Sequence, residues 1–248
     1  MKYICTAVLF ILSFSVFAEY IDSCPSFKAH GSPVSGKKHS IPLCKIQYYN
    51  EYDTVCKTTV VVAEHLTNET LSGNISRENF SFHVDRQLPI IFRVSPSDYY
   101  NTGYDMGHMS PAEYNRVSAA VMYDSFNLTN AVPQTPNNNR GVWRELEMNT
   151  KLLAKKLGDL YVYSGPINSP NPKTLKGGEC IPDYTYKILY SKSKNVGAAF
   201  IVPNTSTASD KRYTEYEVSI LEVEKRTGIN FFPEAKDVKF KETVKAKF

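Results

Sequence analysis

Two short polar segments constrain this chain more than any other feature. Residues 105–111 read Asp-Met-Gly-His-Met-Ser-Pro, and residues 139–147 read Asn-Arg-Gly-Val-Trp-Arg-Glu-Leu-Glu. The second segment begins a predicted helix over residues 139–157, which a glycine ends. Trp143 and the leucines that follow it form the apolar face of this helix, and Asn139 is in phase with that face. We therefore expect Asn139 to be directed inward, near the short strand that carries the first segment.

A histidine and an asparagine placed in this way suit phosphodiester hydrolysis with one hydrated metal ion. His108, with an ordinary pKa of ~6.5, is the candidate general base that activates water. Asn139 is the candidate ligand of Mg²⁺, or of Mn²⁺ as a second choice, because such ions prefer oxygen ligands and keep several waters. The alternatives are a histidine held by a backbone carbonyl at a strand end and an asparagine that caps a helix, although Asn137 and Asn138 are rival caps.

Charged side chains follow Asn139 along the predicted helix. Their spacing places four of them in one row beside it: Arg140, Arg144, Glu147 and Lys151. Glu147 could hold a metal-bound water or orient His108, and the three basic residues could bind phosphates. The alternative is an ordinary solvated helix face, in which Glu147 pairs with Lys151.

The two segments together resemble the DNA/RNA non-specific endonuclease family, the ββα-metal nucleases. In that family the first motif is Asp-Arg-Gly-His, and the second is Asn-x-Gly-x-Trp with a glutamate eight residues after the asparagine. Here the second motif is intact, whereas Met106 replaces the arginine of the first. The resemblance extends from about Thr59 to Pro233.

The resemblance implies an endonuclease that cuts DNA and RNA with little sequence specificity and one bound divalent ion. It implies a basic phosphate-binding residue at Lys151, an arginine near the scissile phosphate at Arg77, and a supporting segment that contains Asn130 and Gln134. Asp105 and Gly107 belong to the first motif and are expected to support the site. A homodimer is a further expectation.

Met106 motivates a rival interpretation. An arginine could bind phosphate and a thioether cannot, so the chain could be a weakened nucleic-acid-binding or surface-interaction protein that keeps the nuclease fold. His108, Asn139 and Glu147 are all present, which favours the enzyme. On the sequence alone, Met106→Arg is expected to raise kcat/KM and to steepen the loss of activity with salt.

The pattern of the remaining segments predicts an α+β fold with a mostly antiparallel central sheet and a ββα-metal motif. Apolar or β-branched runs predict strands at residues 58–66, 126–130, 160–166, 186–190 and 197–202, besides the short strand at 105–109. Helices are predicted at residues 112–122, 139–157 and 216–227.

The N-terminus has the pattern of a secretory signal peptide over residues 1–18. We expect export to the periplasm or the extracellular space, and no membrane association after cleavage. A cysteine-bearing extension is expected at residues 19–52 and the endonuclease domain at residues 53–248. Four cysteines then remain, which favours two disulfides over a zinc site but leaves three possible connectivities. The net charge of only +4 is compatible with nucleic acid without arguing for it.

Overall fold

The computed structural model describes Cys24, Phe27, residues 29–245 and Phe248. The predicted signal peptide lies outside the described residues. Within them, no helix is both long and apolar enough to cross a membrane.

A seven-stranded antiparallel sheet forms the centre of the protein, and it confirms the predicted α+β class. Its spatial order is β1-β2-β3-β6-β7-β8-β9. The strands are β1 (Ser40–Cys44), β2 (Tyr48–Asp53), β3 (Thr58–Thr67), β6 (Asp159–Ile167), β7 (Tyr184–Ser191), β8 (Val196–Pro203) and β9 (Glu217–Val218). The central strands read as nearly continuous apolar runs because both faces of the sheet are covered.

Alternate residues of the central strands pack into two separate cores. Val61, Tyr163 and Ile188 face a core that includes helix α3 (Ile220–Thr227) and Phe232. Val62, Val162 and Leu189 face the other core. The second core contains Trp143 and Leu146, and it is the side on which the two sequence motifs meet.

Those motifs lie on a separate ββα unit, as predicted. Strand β4 (Asp105–His108) pairs antiparallel with β5 (Ala131–Gln134), and helix α2 (Arg144–Leu157) follows. Helix α2 ends at Gly158, whose φ of 74° is the left-handed conformation that favours glycine at this position.

Between β4 and β5, two predicted elements differ from the observed structure. Helix α1 covers Ala119–Ser125, later than predicted, because Ser118 caps it by accepting a hydrogen bond from the Val121 amide. The predicted strand at 126–130 is wrong. Leu128–Asn130 is instead a single 3-10 turn, and pairing with β4 starts only at Ala131.

The segment before residue 53 is continuous with the sheet. Strand β2 runs up to the expected division between extension and domain, and it pairs with β3 from Tyr48 to Asp53. One disulfide lies within this segment, and a second begins just after β2. Cys24 is bonded to Cys44, and Cys56 is bonded to Cys180.

We predict that the exported chain contains no free thiol. Thiol titration under denaturing, non-reducing conditions checks this. Because the Cys56–Cys180 bridge spans 124 residues, its reduction should cost roughly 4–5 kcal/mol of stability in the loop-closure account. Four reactive thiols in exported protein would contradict both pairings.

Candidate active site

The pairing of β4 with β5 determines where His108 lies. His108 is paired with Ala131, and the amide of the next residue, Met109, donates to the carbonyl of Asn130 at 2.9 Å. The indole Nε1 of Trp143 donates to the His108 carbonyl at 3.2 Å. Strand β4, which carries His108, is therefore bonded to the tryptophan of the second motif.

The His108 imidazole lies among aromatic side chains. Its ring centroid is 4.4 Å from that of Phe82 and 5.0 Å from that of Phe126. Its Nε2 atom is covered and has no hydrogen-bond partner among the described residues. Burial, assisted by the nearby Arg77 guanidinium, lowers the pKa of His108 to about 3. The imidazole is therefore neutral near pH 7, the state in which a general base must be.

Arg77 lies near this histidine. Its guanidinium carbon lies 5.6 Å from the centroid of the Phe126 ring, which itself packs against His108. Phe82 and Phe126 were not singled out from the sequence, because nothing in their local pattern distinguishes them from ordinary core residues.

Asp105 holds the amide of Asn139 in one orientation. Its carboxylate accepts a hydrogen bond from Asn139 Nδ2 at 2.9 Å and two from Arg140, at 2.8 and 2.6 Å. Burial pushes the pKa of Asp105 up, but the hydrogen bonds from Arg140 and Asn139 outweigh it and leave the pKa below its usual value. Since a carboxylate only accepts, Nδ2 must face Asp105, and Oδ1 faces away from it.

That orientation suits Asn139 as the ligand of a hydrated divalent ion. An amide oxygen is a ligand that Mg²⁺ accepts, and Mg²⁺ often binds through one or two protein groups plus waters and phosphate. No group of three or more His, Cys, Asp or Glu side chains that could hold a metal occurs in the described part of the chain. The residues present therefore fit a lightly ligated hydrated ion better than a fully protein-ligated one.

The polypeptide before helix α2 is not the continuous helix that we expected. Residues Asn138–Trp143 form a wide turn that is broken at Gly141, whose φ of −105° and ψ of −106° are not helical. Ser209 Oγ lies 1.9 Å from where a Cβ of Gly141 would be, so this close packing requires glycine. The break changes the phase between Asn139 and α2.

As a result the predicted row of four charged residues is divided. Arg140 is bonded to Asp105, and Arg144 is exposed without an ion pair among the described residues. Lys151 donates to Glu113 at 2.8 Å. Glu147 is turned inward: its Oε1 is covered and unpartnered, and burial raises its pKa to about 7.

Asn130 and Gln134 form hydrogen bonds to residues next to the two motifs. The Asn130 side chain accepts from the Ser110 amide and donates to the Ser110 carbonyl, both at 2.8 Å. Gln134 Nε2 donates to Asn138 Oδ1 at 2.6 Å, and Asn138 in turn donates to the Pro203 carbonyl at 2.8 Å. Asn138, which the sequence suggested only as a rival cap, thus connects the start of the second motif to β8.

Gly107 makes room for Gln134. A Cβ at residue 107 would lie 1.7 Å from Gln134 Oε1. We predict that Gly107→Ala displaces the Gln134 side chain and costs about 1–3 kcal/mol of stability, with a loss of activity. A double-mutant cycle with Gln134→Ala checks the cause. If the two free-energy changes are simply additive, the clash is not the reason.

Met106 does not reach into open space. Residues alternate sides along a strand, so Met106 shares a side of β4 with His108. It is half-buried and packs against an apolar cluster that includes Val94, Tyr99 and Leu128. The side chain is therefore part of the packing beside the histidine.

This packing changes the expectation for Met106→Arg. A guanidinium would have to leave the apolar cluster or be buried without a partner, so we predict a lower melting temperature and no gain in kcat/KM. Met106→Leu is the matched control and should cost less than about 1.5 kcal/mol. A rise in kcat/KM with a steeper salt dependence would show that residue 106 faces the substrate after all.

Comparisons with known proteins identify a family that agrees with the fold and the two motifs. The family model described as DNA/RNA non-specific endonuclease matches residues 25–238. The chain is 35% identical over 199 residues to the mitochondrial nuclease EXOG of Danio rerio, covering 73% of this chain and 58% of that protein. It is 34% identical to a nuclease of Nostoc sp., covering 76% of this chain and 72% of that protein.

A solved structure of an EndoG/EndoGI complex is also similar. It superposes with a TM-score of 0.73 at 25% sequence identity and covers 79% of this chain and 86% of that one. The match to EXOG leaves more than a third of that relative's length without a counterpart in the alignment. Both motifs, the ββα unit and the family match over most of the sequence lead to one conclusion: the chain belongs to the DNA/RNA non-specific endonuclease family.

Proposed function

We propose that this protein is an exported endonuclease that hydrolyses DNA and RNA with little sequence specificity and depends on one divalent ion, Mg²⁺ or alternatively Mn²⁺. The observation that carries the proposal is the bonding of Asn139 and Arg140 to Asp105. It joins the two motifs, and it directs the Asn139 amide oxygen away from the protein's own carboxylate.

In this proposal His108 takes a proton from the attacking water. The imidazole is neutral because burial lowers its pKa, so one of its two ring nitrogens has a lone pair that can accept the proton. Asn139 would hold the ion, which when bound neutralises charge on the phosphate and on the leaving oxygen. Glu147 would hold a water of that ion or orient the base.

The basic side chains near the site are proposed as phosphate contacts. Arg144 is exposed and unpaired among the described residues, and Arg77 lies beside His108. Arg140 and Lys151 are already in ion pairs with Asp105 and Glu113, which lowers their share in binding. Each phosphate contact releases counterions, so affinity should fall as salt rises.

Export is supported by the two disulfides, which form in oxidising compartments. Several relatives carry the name of a mitochondrial nuclease. We propose that this protein differs from them in being exported. We also propose that the protein forms a homodimer.

A digestion panel tests the function. The purified chain is incubated with closed circular DNA, single-stranded DNA and RNA in the presence of Mg²⁺, and product lengths are followed over time. We expect all three to be shortened to mixtures without preferred ends. Binding of the nucleic acids without cleavage would favour the rival, a nucleic-acid-binding protein that keeps the nuclease fold.

A further inference from the structure

Three charged side chains lie in the interior behind the candidate active site: Glu64 on β3, Glu147 on α2 and Lys187 on β7. Glu64 is 1% exposed and Lys187 is 0% exposed, whereas Glu147 is half-buried with its Oε1 covered. An isolated buried charge is costly, whereas a compensated group of charges can be kept. The three side chains therefore have to be explained together.

The ammonium of Lys187 lies against the tryptophan of the second motif. Its Nζ donates to Ser164 Oγ at 2.6 Å and lies 4.6 Å from the centroid of the Trp143 ring. This is cation–π geometry, which is stronger in a desolvated place. The same indole donates to the His108 carbonyl, so Lys187 supports the ring that is bonded to the strand of His108.

The two carboxylates depend on the same cation. Ser110 Oγ donates to Glu64 Oε1 at 2.6 Å, and Ser110 follows His108 by two residues. The second oxygen of Glu64 and Oε1 of Glu147 are covered and have no hydrogen-bond partner among the described residues. Lys187 is the fully buried cation that interacts electrostatically with both.

Burial raises the pKa of both carboxyl groups, and Lys187 acts in the opposite direction on each. Burial lowers the pKa of Lys187, against the pull of Glu147 and Glu64. Other groups also face this layer. Arg77 and Arg144 favour the charged form of Glu147, and the Tyr114 hydroxyl faces both carboxylates. Tyr48 faces Glu64 alone.

We infer that Lys187 is a positioning residue of the nuclease site: its buried ammonium supports the Trp143 ring and balances the charge of Glu147 in the same layer. It acts through these two residues and has no recorded contact with Asn139. The inference rests on the proposed function, because it assigns Glu147 a role as a carboxylate.

Two substitutions of Lys187 should separate its charge from its shape. Lys187→Met removes a positive charge, so the Glu147 carboxylate forms only at higher pH. Lys187→Arg keeps the positive charge, so the ionisation of Glu147 should remain where it is. The matched control is Lys155→Met, which removes an exposed lysine from the same helix as Glu147.

Two readouts follow these shifts. Trp143 is the only tryptophan of the chain, so its fluorescence reports the charge of the layer without any need for activity. The pH profile of kcat/KM on DNA is the second readout. We expect the fluorescence midpoint and the acid limb to rise by about one pH unit or more in Lys187→Met, equivalent to ~1.4 kcal/mol. Both should remain in place in Lys187→Arg and in Lys155→Met.

A merely structural role for Lys187 predicts a different outcome. The rate would then fall by the same factor at every pH, with the fluorescence midpoint unchanged, and that result overturns the inference. If Lys187→Met does not fold, Lys187→Gln decides, because it also removes the charge but keeps a polar group near Ser164, and an unmoved midpoint in that variant overturns the inference. If the midpoints move but the unsubstituted protein cuts no nucleic acid, the proposed function fails while the coupling of Lys187 to Glu147 stands.

Discussion

Replacing His108 with alanine should lower kcat/KM on DNA by roughly 10²- to 10⁴-fold, the range that a general base contributes. The fold should survive, because the carbonyl of residue 108 and its bond to Trp143 Nε1 are part of the backbone. The measurement is a steady-state cleavage rate, with melting temperature as the check on folding.

His108→Asn provides a control that keeps a polar side chain of similar size without a base. It should be as inactive as the alanine variant. Because burial lowers the pKa of His108 to about 3, protonation of this imidazole should not produce the acid limb of the wild-type profile. Rates within a factor of a few of the wild type in either variant would remove His108 from the mechanism.

Asn139→Ala should cause a loss at least as large, because it removes the proposed ligand and one of the bonds that holds Asp105. The apparent half-saturating Mg²⁺ concentration should rise, so that excess Mg²⁺ restores part of the rate. Asn137→Ala is the matched control. Asn137 is exposed, and among the described residues its side chain is bonded only to the backbone carbonyl of Ser206, so its loss should change stability by no more than about 0.5 kcal/mol.

An equal loss in the Asn137 and Asn139 variants would mean that general damage to this loop is responsible. An Asn139 variant with unchanged Mg²⁺ dependence would mean that the ion is held elsewhere. The melting temperatures of both variants separate these outcomes from unfolding.

The central strands could be predicted from sequence because burial on both faces of a strand requires an uninterrupted run of apolar or β-branched residues. Residues 58–66 and 197–202 are uninterrupted apolar or β-branched runs, and each lies within a strand of the sheet. The segment 126–130 has a similar composition but forms a turn. What distinguishes it is a tertiary bond, from the Leu128 amide to the His83 carbonyl, together with a local turn bond from the Asn130 amide to the Asn127 carbonyl.

The two motifs of the candidate site could be located from the sequence, whereas their spatial arrangement could not. The motifs indicated His108 and Asn139, but a wheel drawn through Gly141 assumed an uninterrupted helix. The non-helical backbone of Gly141 follows from its packing against Ser209, a residue distant in sequence. No local periodicity contains that information.

The buried charged residues stand out in the sequence, but local patterns do not show which partners they have. Glu64 and Lys187 each interrupt an apolar strand, which marks them as unusual. Their relation to Glu147 and Trp143 appears only when β3, β7 and α2 pack together. Sequence alone therefore indicates that such residues need partners, and the fold identifies them.

The most direct test of the central claim is cleavage of closed circular DNA by the purified protein in excess chelator and again after Mg²⁺ is restored. The account predicts that chelation abolishes cleavage, that Mg²⁺ returns it in full, and that Asn139→Ala responds only to much higher Mg²⁺. Undiminished cleavage by the wild-type protein in excess chelator would contradict it, because no step assigned to Asn139 would then be needed.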